Sequence, residues 1–461
     1  MLTFGWVKCQ VGKIGDQLPK ELAALKKMGV PTEPADLAPN PPIPTGQNAG
    51  VLLEELIAEL KELRNDANYK KAYNELSSNR KANPEDNPLV VTAIAQFGGY
   101  LKKADRLGSF RRLDFHRDYS LGASLMFPEY ADIKEIAKWQ AARSRLYIKE
   151  GNLSGSLSAL RSIFAMARQC FDEPTIISAL VGIAIDAIGQ RAFETHLEAI
   201  KANQPALAEA RNMLESFQSD FNLKWSLAGE VIMGRIYIQS LRKWNDAMWM
   251  DSEGGYETEP SRPDPIDRMT LGDPSVRRMF EAKYLELWRK AHEQMPKSNS
   301  DWKGIGKAMA TIEKTLENDN SAENYLNQIL YPVFGQFANA AGLFQARYRL
   351  SLLSIRLLQD RVRGLPTDLT RYGQLAIDPM DGKPIRYIRK GGGFKIWSVG
   401  RDEVDNKGAK YYPGSGMSNQ NVDEVMYFFY PEKAPPPRFQ AGGMSTTTPI
   451  GGPPTAGTYS P

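Results

Sequence analysis

From Gln47 to about Arg363, apolar side chains recur three or four residues apart, and a chain with that pattern folds as stacked amphipathic helices. The clearest stretch is Phe337, Ala341, Phe344, Tyr348, Ser351, Ile355, Leu358 and Val362, which predicts a helix packed on one face along its whole length. Near the start, Leu52, Leu56, Leu60 and Leu63 predict a helix from about Ala49 to Lys81, ended by Pro84 and Pro88. The same reading places helices at Leu89–Arg106, Asp132–Lys149, Leu153–Phe171, Glu173–Ala202, Pro205 to about Lys243, Pro274–Met295 and Asp301–Glu317. A last one covers Tyr325–Arg363, with a break at Pro332.

Residues Ala141 to Arg168 resemble a tetratricopeptide hairpin: helix, a Gly151-Asn152 turn, then small residues where two helices approach closely. No second copy follows at that period, so the expected fold is mainly α, an irregular α-hairpin bundle. The most apolar stretch, Ile176 to Gly189, is short and carries Asp186. It reads as a core helix rather than a membrane span.

The flanks differ in kind. Residues 1–47 read as a Pro-rich lead-in, with prolines 31, 34, 39, 41, 42 and 44 suited to a polyproline-like linker. Residues 48–363 form the helical domain, interrupted at Asp251–Asp273 by a polar surface loop with Pro260, Pro263 and Pro265. After Gly364 glycines cluster and short β-type runs appear at Ile385–Ile388, Phe394–Val399 and Val425–Tyr430. Residues 364–434 therefore form a small antiparallel β unit. Residues 435–461 hold seven prolines, five glycines and one charge, a composition expected to stay disordered.

Composition removes several classes of chemistry. With only Cys9 and Cys170, neither a disulfide framework nor a Cys-rich zinc site can be built. A net charge of +4 with no dense basic block points away from nucleic acid as a partner. The three histidines, His116, His196 and His292, lie far apart in sequence. His116 sits between Asp114 and Asp118, as a carboxylate-oriented base would, or as a solvated loop residue. Gly391–Gly393 lacks the Lys-Ser/Thr of a phosphate loop, and Arg111-Arg112 and Arg277-Arg278 are isolated pairs. Trp244, Met248 and Trp249 form an aromatic group beside the polar loop.

Residues 365–408 carry the most specific pattern: Leu365-Pro366, Asp378-Pro379, Gly382, Pro384 and Tyr387, then Trp397-Ser398, Gly400 and Asp402. In local terms, Asp378-Pro379 and Asp381-Gly382 make turns, Pro384 starts an edge strand, and Tyr387 and Trp397 pack the strands onto the preceding helix. The order and spacing resemble the C-terminal motif of type II secretion major pseudopilins. The same tail resembles one found in long helical proteins of unknown function from planctomycete-like bacteria. Those open with a membrane anchor and a Pro-rich lead-in ending in Asn-Ala, here Asn48-Ala49. That layout matches better than a pseudopilin's, which starts with a hydrophobic assembly helix.

The pseudopilin resemblance implies calcium in the loop near Asp402 and Asp405; the plainer reading is two solvated turn aspartates. A large helical domain with no catalytic constellation and a Pro-rich, stalk-like lead-in points to a non-enzymatic scaffold or protein-interaction protein, which the resemblance places in the bacterial cell envelope, allied to secretion or pilus-like systems. An anchor preceding the chain would place it on the extracytoplasmic face; a chain starting at Met1 would be cytoplasmic. The alternative function is a carboxylate-based hydrolase, with its cleft between the helical body and loop 251–273. No catalytic residue and no other cofactor is assigned.

Overall fold

The computed structural model describes residues 10–78, 83–217, 222–241, 273–319, 321, 324–331, 334–390, 392–408 and 423–428. Outside them lie Cys9, Trp244, Met248, Trp249, all of loop 251–273 but Asp273, and residues 435–461. The fold is mainly α, with a small antiparallel sheet near the C-terminus. The helices are α1 (Leu18–Lys27), α2 (Ala49–Leu63), α3 (Ala67–Ser78), α4 (Pro88–Gln96), α5 (Gly98–Ala104), α6 (Glu129–Lys149) and α7 (Leu153–Cys170). They continue with α8 (Ile176–Ile200), α9 (Gln204–Phe217), α10 (Leu223–Ser240), α11 (Pro274–Gln294), α12 (Trp302–Glu317), α13 (Tyr325–Leu330) and α14 (Phe334–Asp360).

Helix starts are written in the sequence as short polar residues. Asn48, Asn87, Asn152, Thr175, Asn222, Asp273 and Asp301 each accept a first-turn amide through a side-chain oxygen. The same chemistry splits two helices expected to be continuous. Asp66 takes the amides of Asn68 and Tyr69 at 2.7 and 3.0 Å, which ends α2 and starts α3 inside the 49–81 stretch. Asn222 opens α10 inside the stretch from Pro205. Phe97 and the two glycines after it bend the expected 89–106 helix into α4 and α5.

The hairpin of α6 and α7 matches its sequence signature. Gly151 sits at φ +76° in the turn, and Ser144 and Ser156 hydrogen-bond across the contact at 2.8 Å. Across this hairpin lies α8. It is long and apolar enough to cross a membrane, and it buries Ile185, Phe193 and Leu197 in the bundle. Two helices run through both of the molecule's large cores. Ile185 and Phe193 of α8 and Leu353 and Leu357 of α14 enter the first. Ala179 and Ile183 of α8 and Phe337 and Ala341 of α14 enter the second. The helix α14 is therefore packed on more than one face; of its stripe, Phe344 and Tyr348 are half-buried and Val362 is 75% exposed, where the helix tightens into a 3₁₀ turn at Arg361–Arg363.

The lead-in differs from the linker reading. Between residues 18 and 47 the chain forms α1 and two 3₁₀ turns, and Leu25 and Leu37 are buried. Glu21 accepts a hydrogen bond from Arg289, and Glu33 pairs with Arg235 at 2.8 Å. Pro34 and Pro44 stand at the starts of the two 3₁₀ turns, where a missing N–H leaves nothing unsatisfied, and prolines 31, 39, 41 and 42 lie between elements, so the apolar residues among them can dock.

The sheet comprises β1 (Arg386–Lys390), β2 (Gly393–Ser398) and β3 (Glu424–Phe428), antiparallel in that order. Tyr387, Ile396 and Met426 share one face, which closes the first core over α14. Alternation puts Trp397 on the other face, correcting its expected packing on the helix. There Lys395 stands 5.2 Å from its ring, and Nε1 donates to Asp405 at 2.8 Å.

The tightest backbone approach joins α10 to the residue before α8's cap. The Gly229 amide donates to the Pro174 carbonyl at 2.7 Å, and a Cβ on Gly229 would stand 2.1 Å from that oxygen. Gly229→Ala should destabilise the fold by about 2–4 kcal/mol in denaturant titration. Gly98→Ala, with nothing within 4 Å of its Cβ, should be neutral or stabilising.

Candidate functional site

The Asp-Pro motif is a hub of hydrogen bonds. Asp378 is fully buried, and its carboxylate accepts four of them. Oδ1 takes the Met380 amide at 2.9 Å and the Ser398 hydroxyl at 2.7 Å; Oδ2 takes the Val399 amide at 3.0 Å and Arg386 at 2.7 Å. Four donors fill the acceptor capacity of a carboxylate. Gly382 at φ +74° closes the turn, its amide donating to the Asp378 carbonyl at 2.9 Å. Ile377 bridges Pro384, and Tyr387 donates to the Pro366 carbonyl at 3.0 Å. The spacing of the motif is thus the spacing needed to bring two turns and two strands to one carboxylate. Asp378→Asn replaces one acceptor oxygen with a donor facing other donors. It should cost about 3–5 kcal/mol on chemical unfolding, and Ser398→Ala about 1–2 kcal/mol.

The loop after β2 holds its acids on nearby N–H groups, and Asp402 and Asp405 both stand within electrostatic reach of Asp423. Asp402 accepts the Val404 amide at 3.2 Å. Asp405 accepts Trp397 Nε1 and the Lys407 amide, and the indole N–H holds its carboxyl below the usual range. Among the described residues no group of three or more His, Cys, Asp or Glu is placed to hold a metal ion. The histidines are scattered. His116 is exposed at φ +51°, 3.0 Å from Asp114; His196 is buried on Ser156; His292 bonds the Trp288 carbonyl at 2.8 Å. Arg111 donates to the Ser216 carbonyl and Arg278 to that of Gly15, so one member of each arginine pair ties elements together. Gly392, at φ +72°, turns β1 into β2.

The feature that composition and motifs did not reveal is a cleft of about 400 Å³ where residues 370–376 run back along α14. Gln345, Tyr348, Arg349, Leu352 and Arg356 project from one face of α14, at helical spacing. Arg371, Tyr372 and Leu375 line the opposite wall, and Glu215 and Phe217 of α9 close one end. This strap is anchored at both ends: Arg371 and Tyr372 bond Asp360 at 2.6 and 2.7 Å, and Arg349 donates to the Ile377 carbonyl. Three guanidinium groups line a cleft whose lining holds one carboxylate, with Asp360 outside it pairing Arg371. The lining carboxylate, Glu215, is already bound by Arg356 at 2.9 Å. Two donors at the wall, Tyr348 Oη and Arg356 Nε, are buried with no hydrogen-bond partner. The available signal was Arg349 and Arg356, seven residues apart and each one place beyond a member of the apolar stripe, beside its Tyr348.

Elsewhere, three buried titratable groups give the fold a pH dependence. Burial pushes Asp186 up from 3.8 to about 7 and Glu230 from 4.5 to about 7, while it lowers His196 from 6.5 to about 4. Folded Asp186 keeps a proton that the unfolded chain releases, so its contribution weakens as pH rises from about 4 to 7. Glu230 acts in the same direction. His196 acts oppositely, its contribution being lost as pH falls from 6.5 to about 4. Asp186→Asn should raise the melting temperature at pH 8 by about 2–6 °C and leave it nearly unchanged at pH 4.

Comparison with family models, curated proteins and solved structures finds no match. The functional reading rests on the site itself.

Proposed function

We propose that this chain is a non-enzymatic scaffold, a protein-interaction protein of the bacterial cell envelope allied to secretion or pilus-like systems. The observation that carries the binding role is the cleft between α14 and the strap, with its arginine and aromatic lining. Positive side chains over apolar walls bind and orient an anionic partner. The envelope placement is supported by the resemblance of residues 365–408 to the pseudopilin motif.

The hydrolase reading has less support. Acid–base cleavage by carboxylates needs two of them across one space. The cleft that reading requires lies against loop 251–273, which apart from Asp273 is outside the described residues, and the α14 cleft offers only Glu215 among its lining carboxylates.

A photo-crosslinking residue in place of Gln345 tests the scaffold in the native organism, with the same residue at Lys307 on α12 as control. The expected result is one discrete protein adduct from position 345, lost on Arg371→Glu. No such adduct, together with substrate turnover by the purified chain, would overturn the proposal.

A further inference from the structure

We infer that the cleft between α14 and residues 370–376 is a binding site for an organic carboxylate carried on a flat, apolar body. The inference deepens the scaffold reading, since it names the chemistry recognised at the same place.

Charge is the first argument. Arg356 pairs with Glu215 and Arg371 with Asp360, while Arg349 donates to the Ile377 carbonyl, which leaves the three guanidinium groups with one positive charge in excess. The Arg356 and Arg371 side chains are 42% and 48% exposed, so a ligand entering the cleft can reach both. Arg349 is deeper, and burial holds its guanidinium below the ordinary value. An anion beside it would relieve that desolvation.

The second argument is unmet hydrogen bonding. A buried donor without an acceptor costs about 1–3 kcal/mol, so folds rarely keep one without a use. Here Tyr348 Oη and Arg356 Nε are two such donors, lying three turns or fewer apart on one helix face and within electrostatic reach of each other. A carboxylate carries two acceptor oxygens, one for each of these donors.

Size and wall chemistry set the rest of the ligand. About 400 Å³ lies near the lower end of small-ligand pockets, which run from roughly 300 to 1,000 Å³. Phe217, Phe344, Leu352, Tyr372 and Leu375 supply flat and apolar surface. A bare inorganic anion would leave those walls uncovered. An aryl or branched alkyl acid covers them, and it can arrive free or as the C-terminal residue of a partner chain.

Calorimetric titration of the full chain tests this with five probes: 3-phenylpropionate, N-acetylphenylalanine, the neutral amide of each, and inorganic phosphate. Both acids should bind, and each amide should bind about tenfold or more weakly, the loss of one charge-assisted contact. Tyr348→Phe should keep the melting temperature at or above that of the parent, because it removes an unpaired hydroxyl, yet weaken the acids about three- to tenfold. Arg356→Lys, which can still pair with Glu215, should weaken them similarly. Acids and amides binding equally, phosphate binding best, no probe binding at millimolar concentration, or neither substitution changing affinity would each overturn the inference. Tighter binding of N-acetylphenylalanine assigns the carboxylate to a chain terminus; tighter binding of 3-phenylpropionate assigns it to a free acid. If the acids bind while position 345 captures no protein and the purified chain turns over substrate, the scaffold reading fails and this one stands. If position 345 captures a protein in an Arg371-dependent way while no acid binds, this inference fails alone.

Discussion

A single buried carboxylate organises the C-terminal third of the described chain. Asp378 gathers the Met380 and Val399 amides, the Ser398 hydroxyl and the Arg386 guanidinium. These four donors come from three pieces: Met380 from the turn, Ser398 and Val399 from the end of β2, and Arg386 from the start of β1. With the sheet fixed, Phe394, Ile396 and Met426 seal the first core, while Met380 and Val399 reach the second. The residue just before Asp378 contributes the carbonyl that Arg349 grips. The strap, and with it the cleft, is thereby held against α14.

The helical body is fixed by similar means. Arg117 lies between Glu129 and Glu173, under the Phe127 ring at 4.6 Å, and Tyr130 donates to Glu173 at 2.9 Å. Arg64 pairs with Asp132 and Glu135 at 2.6 and 2.7 Å, and Glu135 also accepts Tyr69. Each group joins segments distant in sequence. Breaking one partner strands a charge in low dielectric, so such groups specify helix register more than they add stability. Many apolar helices can slide past one another; these cannot slide without losing a charge partner.

Helix type and the small sheet were legible because they depend on local periodicity, as Leu52, Leu56 and Leu60 show by being buried together. The breaks after Leu63 and before Leu223 were less legible. There a single Asp66 or Asn222 capping bond outweighs several residues of favourable pattern. Trp397 departs from its expected packing on the helix because strand alternation decides the face, and it falls opposite Ile396. The docking of residues 18–47 was hidden because Arg235 and Arg289, which receive it, lie some two hundred residues away in sequence. The cleft was hidden for the same reason: Arg349, Arg356, Arg371 and Glu215 become neighbours only once the strap folds back.

The claim beneath all of this is that the sheet and the strap belong to the cooperative core, with Asp378 as the joint. Native-state hydrogen exchange tests it most directly, comparing the amides of Met380, Gly382 and Val399 with those in the middle of α14. The account predicts that both sets exchange through the same global unfolding event, with equal free energies and equal denaturant dependence. Exchange of the turn and sheet amides at a much lower free energy, with α14 still protected, would show a separately opening appendage and contradict it.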